Sequence, residues 1–339
     1  MTAFLAKLPR EVGGTEGTLV AQFDEIEAIS FADGATGWNH AFMASSAGIV
    51  AARLPQQGLE EILALGGGTW PRFCGTFPMS GRAVPVDDGF TLTGRWGFAS
   101  GICDSQWVAC GAIRTDDGAP VWFVLPVDDV VVHDTWDSPG LAGTRSCDYS
   151  TDELFVPQRR AFSVTGPPKR GGPMFHMAIQ AYLTPDHTGV TLGCTRRALE
   201  ECAVAARDKQ RLGSAHPLDQ RAAFVRDLGR ALTRLGSVRA HVRSVLTQLD
   251  AAAPAVDQQL FLDARCAATH AAEVAVDVAT FAYRNGGAHA VFTSSTLGRA
   301  YRDALTASQH VHLLDDVYEW RGANMLAAAP APTAANIGV

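Results

Sequence analysis

One run of residues constrains the fold more than any other. Phe224, Leu228, Leu232, Leu235, Val238, Val242, Val245 and Leu249 step by four and three through a stretch whose other residues are mostly polar. That spacing puts all eight on one face of a helix. An apolar seam of this length needs a neighbouring helix to cover it. "AAAPA", residues 251–255, reads as a turn, and a second helix runs from about Val256 to Arg284 and stops at Asn285-Gly286-Gly287. A third covers Leu297 to Tyr318 and a fourth lies within 174–210, so the pattern predicts an up-down four-helix bundle. The arginines along these helices read as solvated faces. The tail "AAAPAPTAANIGV", 327–339, reads as disordered.

The chain ahead of the bundle changes character twice. Up to about residue 68 it is helical, with Leu19, Phe23, Ile26 and Ile29 at helical spacing and a break near Asp33-Gly34. "LGGGTW" closes this block. From 69 to about 165, glycine, valine and aromatic residues alternate as in strands: "GFTLTGRWGFAS", "QWVACGAIR" and "APVWFVLP". Asp87-Asp88-Gly89 is a hairpin turn. Many short strands without intervening helices predict a compact antiparallel barrel or sandwich. "SVTGPPKRGGP", 163–173, is a linker, and the helical bundle spans 166–326. The expected class is α+β.

Charge and cysteine content exclude several functions. A net charge of −7 and a pI near 5.8, with no basic tract, argue against nucleic acid as a partner. No apolar stretch reaches the length of a membrane span, and "MTAFLAKLPREVGG" lacks the apolar core of a signal peptide. Seven cysteines with neither a C-x-x-C pair nor a zinc spacing read as buried free thiols in a cytoplasmic protein. No metal is expected.

Four segments, in order, carry a family resemblance. "LPREVGGTEGTLVAQFDEIEAISFADGATGWN", "SGRAVPVDDGFTLTGRWGFASG", "SPGLAGTRSCDYSTDELFVP" and "LGRAYRDALTASQH" resemble successive motifs of the acyl-CoA dehydrogenase fold. That fold consists of N-terminal helices, a central β domain and a C-terminal four-helix bundle. Family members carry about two more helices ahead of "LPREVGG", which implies a more open pocket or an upstream start. The dehydrogenases place a glutamate soon after the Arg-Asp pair to remove the substrate proton. Here "SQHVHL" follows Arg302-Asp303, with His310 and His312 where the carboxylate would be. The chain therefore resembles the reduced-flavin-dependent monooxygenase branch, the oxygenase components of two-component systems. The alternatives are an acyl-CoA dehydrogenase proper and a flavin-free ligand-binding scaffold.

The resemblance implies an activity, a cofactor and a set of roles. A separate NAD(P)H–flavin reductase would supply reduced FMN, or FAD, because the chain has no Gly-x-Gly-x-x-Gly site of its own. Oxygen would add at flavin C4a and pass to an aromatic or polyketide-like small molecule. "GRWGFASG" supplies the flavin site. Trp96 and Phe98 would wall the ring, Ser100 would reach it with a hydroxyl, and Gly101 would let the backbone approach. Without the resemblance, the same aromatics read as strand core. Thr144, Arg145 and Ser146 occupy the phosphate-contact segment, where Ala142 replaces the family arginine and Arg145 a glycine. This change favours FMN over FAD. Gly286, Gly287 and Arg302 are further cofactor contacts.

The catalytic candidates are His310, read as mid-helix, with Ser100 and His40; His312 is expected to face away. Trp38, His40, Phe175, His176 and Tyr182 are expected to line the substrate pocket. A homotetramer built through the bundle completes the expectation.

Overall fold

The N-terminal helices begin where their caps dictate. In a computed structural model, which describes residues 3–163, 165–207, 209–210 and 213–328, Thr18 accepts the Ala21 N–H and opens α1 (Leu19–Ala32). Asp33 accepts the Thr36 N–H and opens α2 (Gly34–Arg53). Each cap satisfies a backbone donor that the helix itself cannot. The break at Asp33-Gly34 is thus a change of direction between two helices. They pack closely because residue 37 is glycine, where a Cβ would collide with Ser30 Oγ. α3 (Gln56–Leu65) runs out into Gly66–Gly68.

The β domain is one mixed sheet. Its strands are β1 (Phe73–Gly75), β2 (Gly81–Val86), β3 (Gly89–Ala99), β4 (Trp107–Arg114), β5 (Pro120–Pro126), β6 (Val131–His133), β7 (Cys147–Pro157) and β8 (Ala161–Phe162). They lie in the order β6-β7-β3-β2-β4-β5-β8, with β1 beside β4. The antiparallel expectation fails at two pairings: β1 and β2 both run parallel to β4. β2 and β3 form the expected hairpin. Residues 100–106 then carry the chain back across β2, so β4 runs in the same direction as β2. β1 takes the first half of one edge of β4 and β2 the second half. Thr76–Ser80 bridges the gap between them.

A β-bulge sets the faces of β3. Trp96 pairs with Tyr149 and Ala99 with Cys147, so β3 holds one extra residue there. The extra residue re-aims the chain, and Phe98 takes a φ of +62°. Before the bulge, Trp96 stacks on Tyr149 at 5.2 Å within the β core.

The C-terminal helices are α4 (Ile179–Tyr182), α5 (Thr184–Ala206), α6 (Ala222–Ala252), α7 (Gln258–Gly286), α8 (Thr296–Ala307) and α9 (Asp316–Ala328). α5 lies at the centre, against α1, α7 and α8. It is buried on all sides near its start despite its polar residues. Thr188, Thr191 and Thr195 donate their hydroxyl protons to carbonyls one turn back, so no water is needed there.

The α6 seam is covered by α7, α5 and α1, except that Leu232 is exposed. Not all the arginines are merely solvated. Arg239 holds Glu27 at 2.9 Å, and Arg243 pairs with Asp24, tying α6 to α1. Two helix expectations need correction. The helix predicted within 174–210 starts only at Thr184, after a 3-10 turn (Pro173–His176) and the short α4. The helix predicted over Leu297–Tyr318 breaks after Ala307. Of the predicted linker, Val164 lies outside the described residues; of the predicted disordered tail, so do residues 329–339. Among the described residues, no helix is long and apolar enough to cross a membrane.

Candidate functional site

Three interruptions noted above, the β3 bulge, the gap between β1 and β2 and the stop after Ala307, face one cavity of about 860 Å³. α2 contributes Trp38 and Phe42, one turn apart with ring centroids at 4.4 Å. The bulge contributes Phe98, the gap between β1 and β2 contributes Phe77, and Trp136 meets Phe98 edge-on at 6.3 Å. These five aromatic residues make a wall suited to flat molecules.

A chain of hydroxyls runs along one side. Trp38 Nε1–H donates to Ser100 Oγ at 2.9 Å; Ser100 Oγ and Ser146 Oγ are 2.8 Å apart, and Ser146 Oγ and Thr144 Oγ1 2.7 Å. Thr144 Oγ1 donates to the Leu141 carbonyl at 2.8 Å. With the Thr144 proton committed to that carbonyl, Ser146 donates to Thr144 and Ser100 donates to Ser146. The chain therefore has a direction, and Ser100 keeps one lone pair free as an acceptor. Gly101 shapes this corner with a φ of +76° and donates its N–H to Thr144 O, while a Cβ there would press on Met43. The loop carrying Thr144 and Ser146 is fastened by α8: Asp303 accepts the Leu141 N–H at 2.6 Å, and Arg302 Nε donates to Pro139 O.

His310 and His312 line the far end, and a third histidine, His187, packs against them. α8 stops at Ala307, and His310 caps the following turn by accepting the His312 N–H on its Nδ1. That bond sets the tautomer: the ring proton is on Nε2, so His310 is a donor. Burial pushes its pKa down to about 3, with His312 contributing. His312 is also lowered, to about 4, by burial and by Arg265. His187, on α5, is 1% exposed, and among the described residues neither of its ring nitrogens has a hydrogen-bond partner. Burial drives its pKa well down, and the neighbouring imidazoles add to this. Its ring centroid is 4.4 Å from that of His310. One nitrogen from each of the three lies within 4.8 Å of the others. For a cation, however, the tautomer leaves His310 no free lone pair.

The cavity thus brings together Trp38, Phe98, Ser100, Thr144, Ser146 and His310. Other sequence-derived candidates lie elsewhere. Trp96 is 1% exposed and donates Nε1–H to Gly111 O inside the β core, so it is not on the cavity wall. His40 lies two residues beyond Trp38 on α2, about 200° around the helix. It faces Glu25 at 3.3 Å, and burial, with Lys7 nearby, lowers its pKa to about 4. Phe175 and Tyr182 are core residues that pack on each other, and His176 is exposed. Gly286 packs against Leu297 and Gly287 lies beside Lys209, both away from the cavity. Arg145 is exposed on the hydroxyl-bearing loop, while Arg302 acts on that loop's backbone.

Phe42, Phe77, Trp136 and His187 were missed, and His312, expected to face away, lines the cavity. Only Phe42 had a signal, its four-residue spacing from Trp38. The free-thiol expectation stands for Cys74: it is buried and its pKa is pushed up to about 12 by that burial, which makes it an inert core residue.

Comparison with known proteins points one way. The family described as "Acyl-CoA dehydrogenase, C-terminal domain" matches residues 187–314. The chain is 31% identical over 338 residues to an indole-3-acetate monooxygenase of Pseudomonas putida, covering 97% of this chain and 85% of that one. It is 28% identical over 164 residues to the oxygenase component of an FADH2-dependent resorcinol hydroxylase of Rhizobium sp., covering 46% and 38%. Among solved structures, XiaF from Streptomyces sp. in complex with FADH2 and glycerol superposes with a TM-score of 0.86 at 24% identity, covering 98% of this chain and 87% of that one.

Proposed function

The chain belongs to the flavin-dependent monooxygenases built on the acyl-CoA dehydrogenase fold, and from that premise we propose how its cavity works and on what. The observation that carries the reading is the directional hydroxyl chain ending at Ser100. A reduced flavin has an N–H at the ring position where the oxidised form has only a lone pair. Ser100 Oγ, left as an acceptor, is matched to the reduced form. Phe98 and Trp136 fit the ring faces, and Arg145 is the cation available on the adjoining loop for a flavin phosphate.

Bound reduced flavin supplies activation of dioxygen: one atom goes to the substrate and the other leaves as water. The chain's own residues do the rest. Trp38, Phe42 and Phe77 hold an aromatic substrate and keep water out. His310 offers the Nε2 proton to an oxygen atom in the cavity and stays neutral at physiological pH. Loss of the family arginine at Ala142 favours reduced FMN, with FAD as the alternative. A separate NAD(P)H–flavin reductase delivers it, as the designation of the Rhizobium protein as an oxygenase component suggests. The exposed Val225 and Leu232 on α6 support assembly through the bundle, as a homotetramer.

The dehydrogenase alternative lacks its base. Among the described residues, Asp137 is the one carboxylate on the cavity, and it lies exposed at the mouth. The test is anaerobic titration with reduced FMN, then aerated buffer with an aromatic substrate. The expected result is saturable flavin binding and oxygenated product in excess of hydrogen peroxide. Failure to bind reduced flavin would support the flavin-free scaffold instead, and dehydrogenation of a thioester would support the dehydrogenase.

A further inference from the structure

Resting on that reading, we propose that the cavity accepts uncharged aromatic substrates and excludes aromatic acids. The Pseudomonas putida relative is named for indole-3-acetate, which carries a carboxylate. Three features of this cavity oppose such a charge.

First, among the described residues that line it there is no lysine or arginine. Arg302, on α8, is not among those lining residues and is turned to the Pro139 carbonyl. Second, the histidines do not substitute for a cation. Each is held neutral mainly by burial; His312 adds to this at His310, Arg265 at His312, and both imidazoles at His187. Third, the one ionisable acid on the wall, Asp137, sits at the exposed mouth, where its charge meets an incoming anion.

A carboxylate entering this cavity gives up its water and pairs with no cation among the residues that line it, which an apolar wall does not compensate. A neutral ring with one O–H or N–H loses far less. A ring hydroxyl oxygen can accept from the His310 Nε2–H, and an O–H or N–H can donate to the imidazole of His312, whose Nδ1 has no partner among the described residues. The aromatic wall is indifferent to the charge, so the discrimination lies at the polar ends.

Indole and indole-3-acetate share a ring and differ in charge, which makes them the probes. Each is titrated calorimetrically, without oxygen, into the protein loaded with reduced FMN at neutral pH. Indole is expected to bind at least about tenfold more tightly. A smaller preference, or the reverse, overturns the proposal. In the Asp137→Arg variant the ratio is expected to narrow at least about threefold, because a cation now stands at the mouth. An unchanged ratio overturns the electrostatic account. Failure of the monooxygenase reading would show separately, as no oxygenated product from either compound when air is admitted, whichever binds.

Discussion

The buried imidazoles make an acid-lability test of the site possible. His310 has a pKa of about 3 in the folded chain, against about 6.5 for a free imidazole. Between those values the unfolded chain binds a proton that the folded chain does not. Stability is therefore full above about pH 6.5, falls as pH drops, and stops falling from this group below about 3. At pH 5 the loss attributable to His310 is about 2 kcal/mol, from the ratio of the two protonation polynomials. The perturbation is His310→Asn. Asparagine keeps an oxygen to accept the His312 N–H, so the cap survives and only the titration is lost. Urea unfolding at pH 7.5 and pH 5.0 measures the difference. The variant should unfold within about 0.5 kcal/mol of the parent at pH 7.5 and lose about 2 kcal/mol less on going to pH 5.0. Equal losses in the two proteins would refute the claim that this imidazole is buried and neutral.

Other expectations follow from the same geometry. Ser100→Ala should cost about 1 kcal/mol of stability and divert oxygen from product to hydrogen peroxide, read as the ratio of the two; an unchanged ratio removes Ser100 from the site. Phe98→Ala should leave stability within about 0.5 kcal/mol, since the ring is 78% exposed, yet weaken reduced-flavin binding by about tenfold. Trp96→Phe should do the opposite: it strands the Gly111 carbonyl at a cost of about 1–3 kcal/mol while flavin affinity holds. Light scattering should give the mass of a tetramer, and Leu232→Glu should lower it.

Trp96 and Phe98 show what the sequence could reveal and where it stopped. Their spacing of two places both on one face of a strand, and the resemblance assigns both to the flavin. The bulge breaks the period between them, one ring into the core and the other into the cavity. A bulge depends on which residues of β7 lie opposite, and this pairing is not local to β3. The large helices were legible because their apolar period is local and repeats over many turns; α6 was read almost to its ends. His40 fell out of the site for a different reason: the distance along the chain from Trp38 was right, but the angle around α2 was not. Phe42 satisfies both. His310 was found from its place after Arg302-Asp303, but not its backbone setting. A helix running on to Tyr318 would have placed His310 and His312 on different faces. The stop at Ala307 lets both line one wall and lets the backbone of one set the proton of the other. His187 was invisible because nothing in "DHTGVTLGCT" marks a polar helix as buried. Its burial comes from α1, α7 and α8 closing around α5. The bulge and the helix stop thus bring Phe98 and His310 to the cavity, and a periodic reading of the chain is weakest at those points.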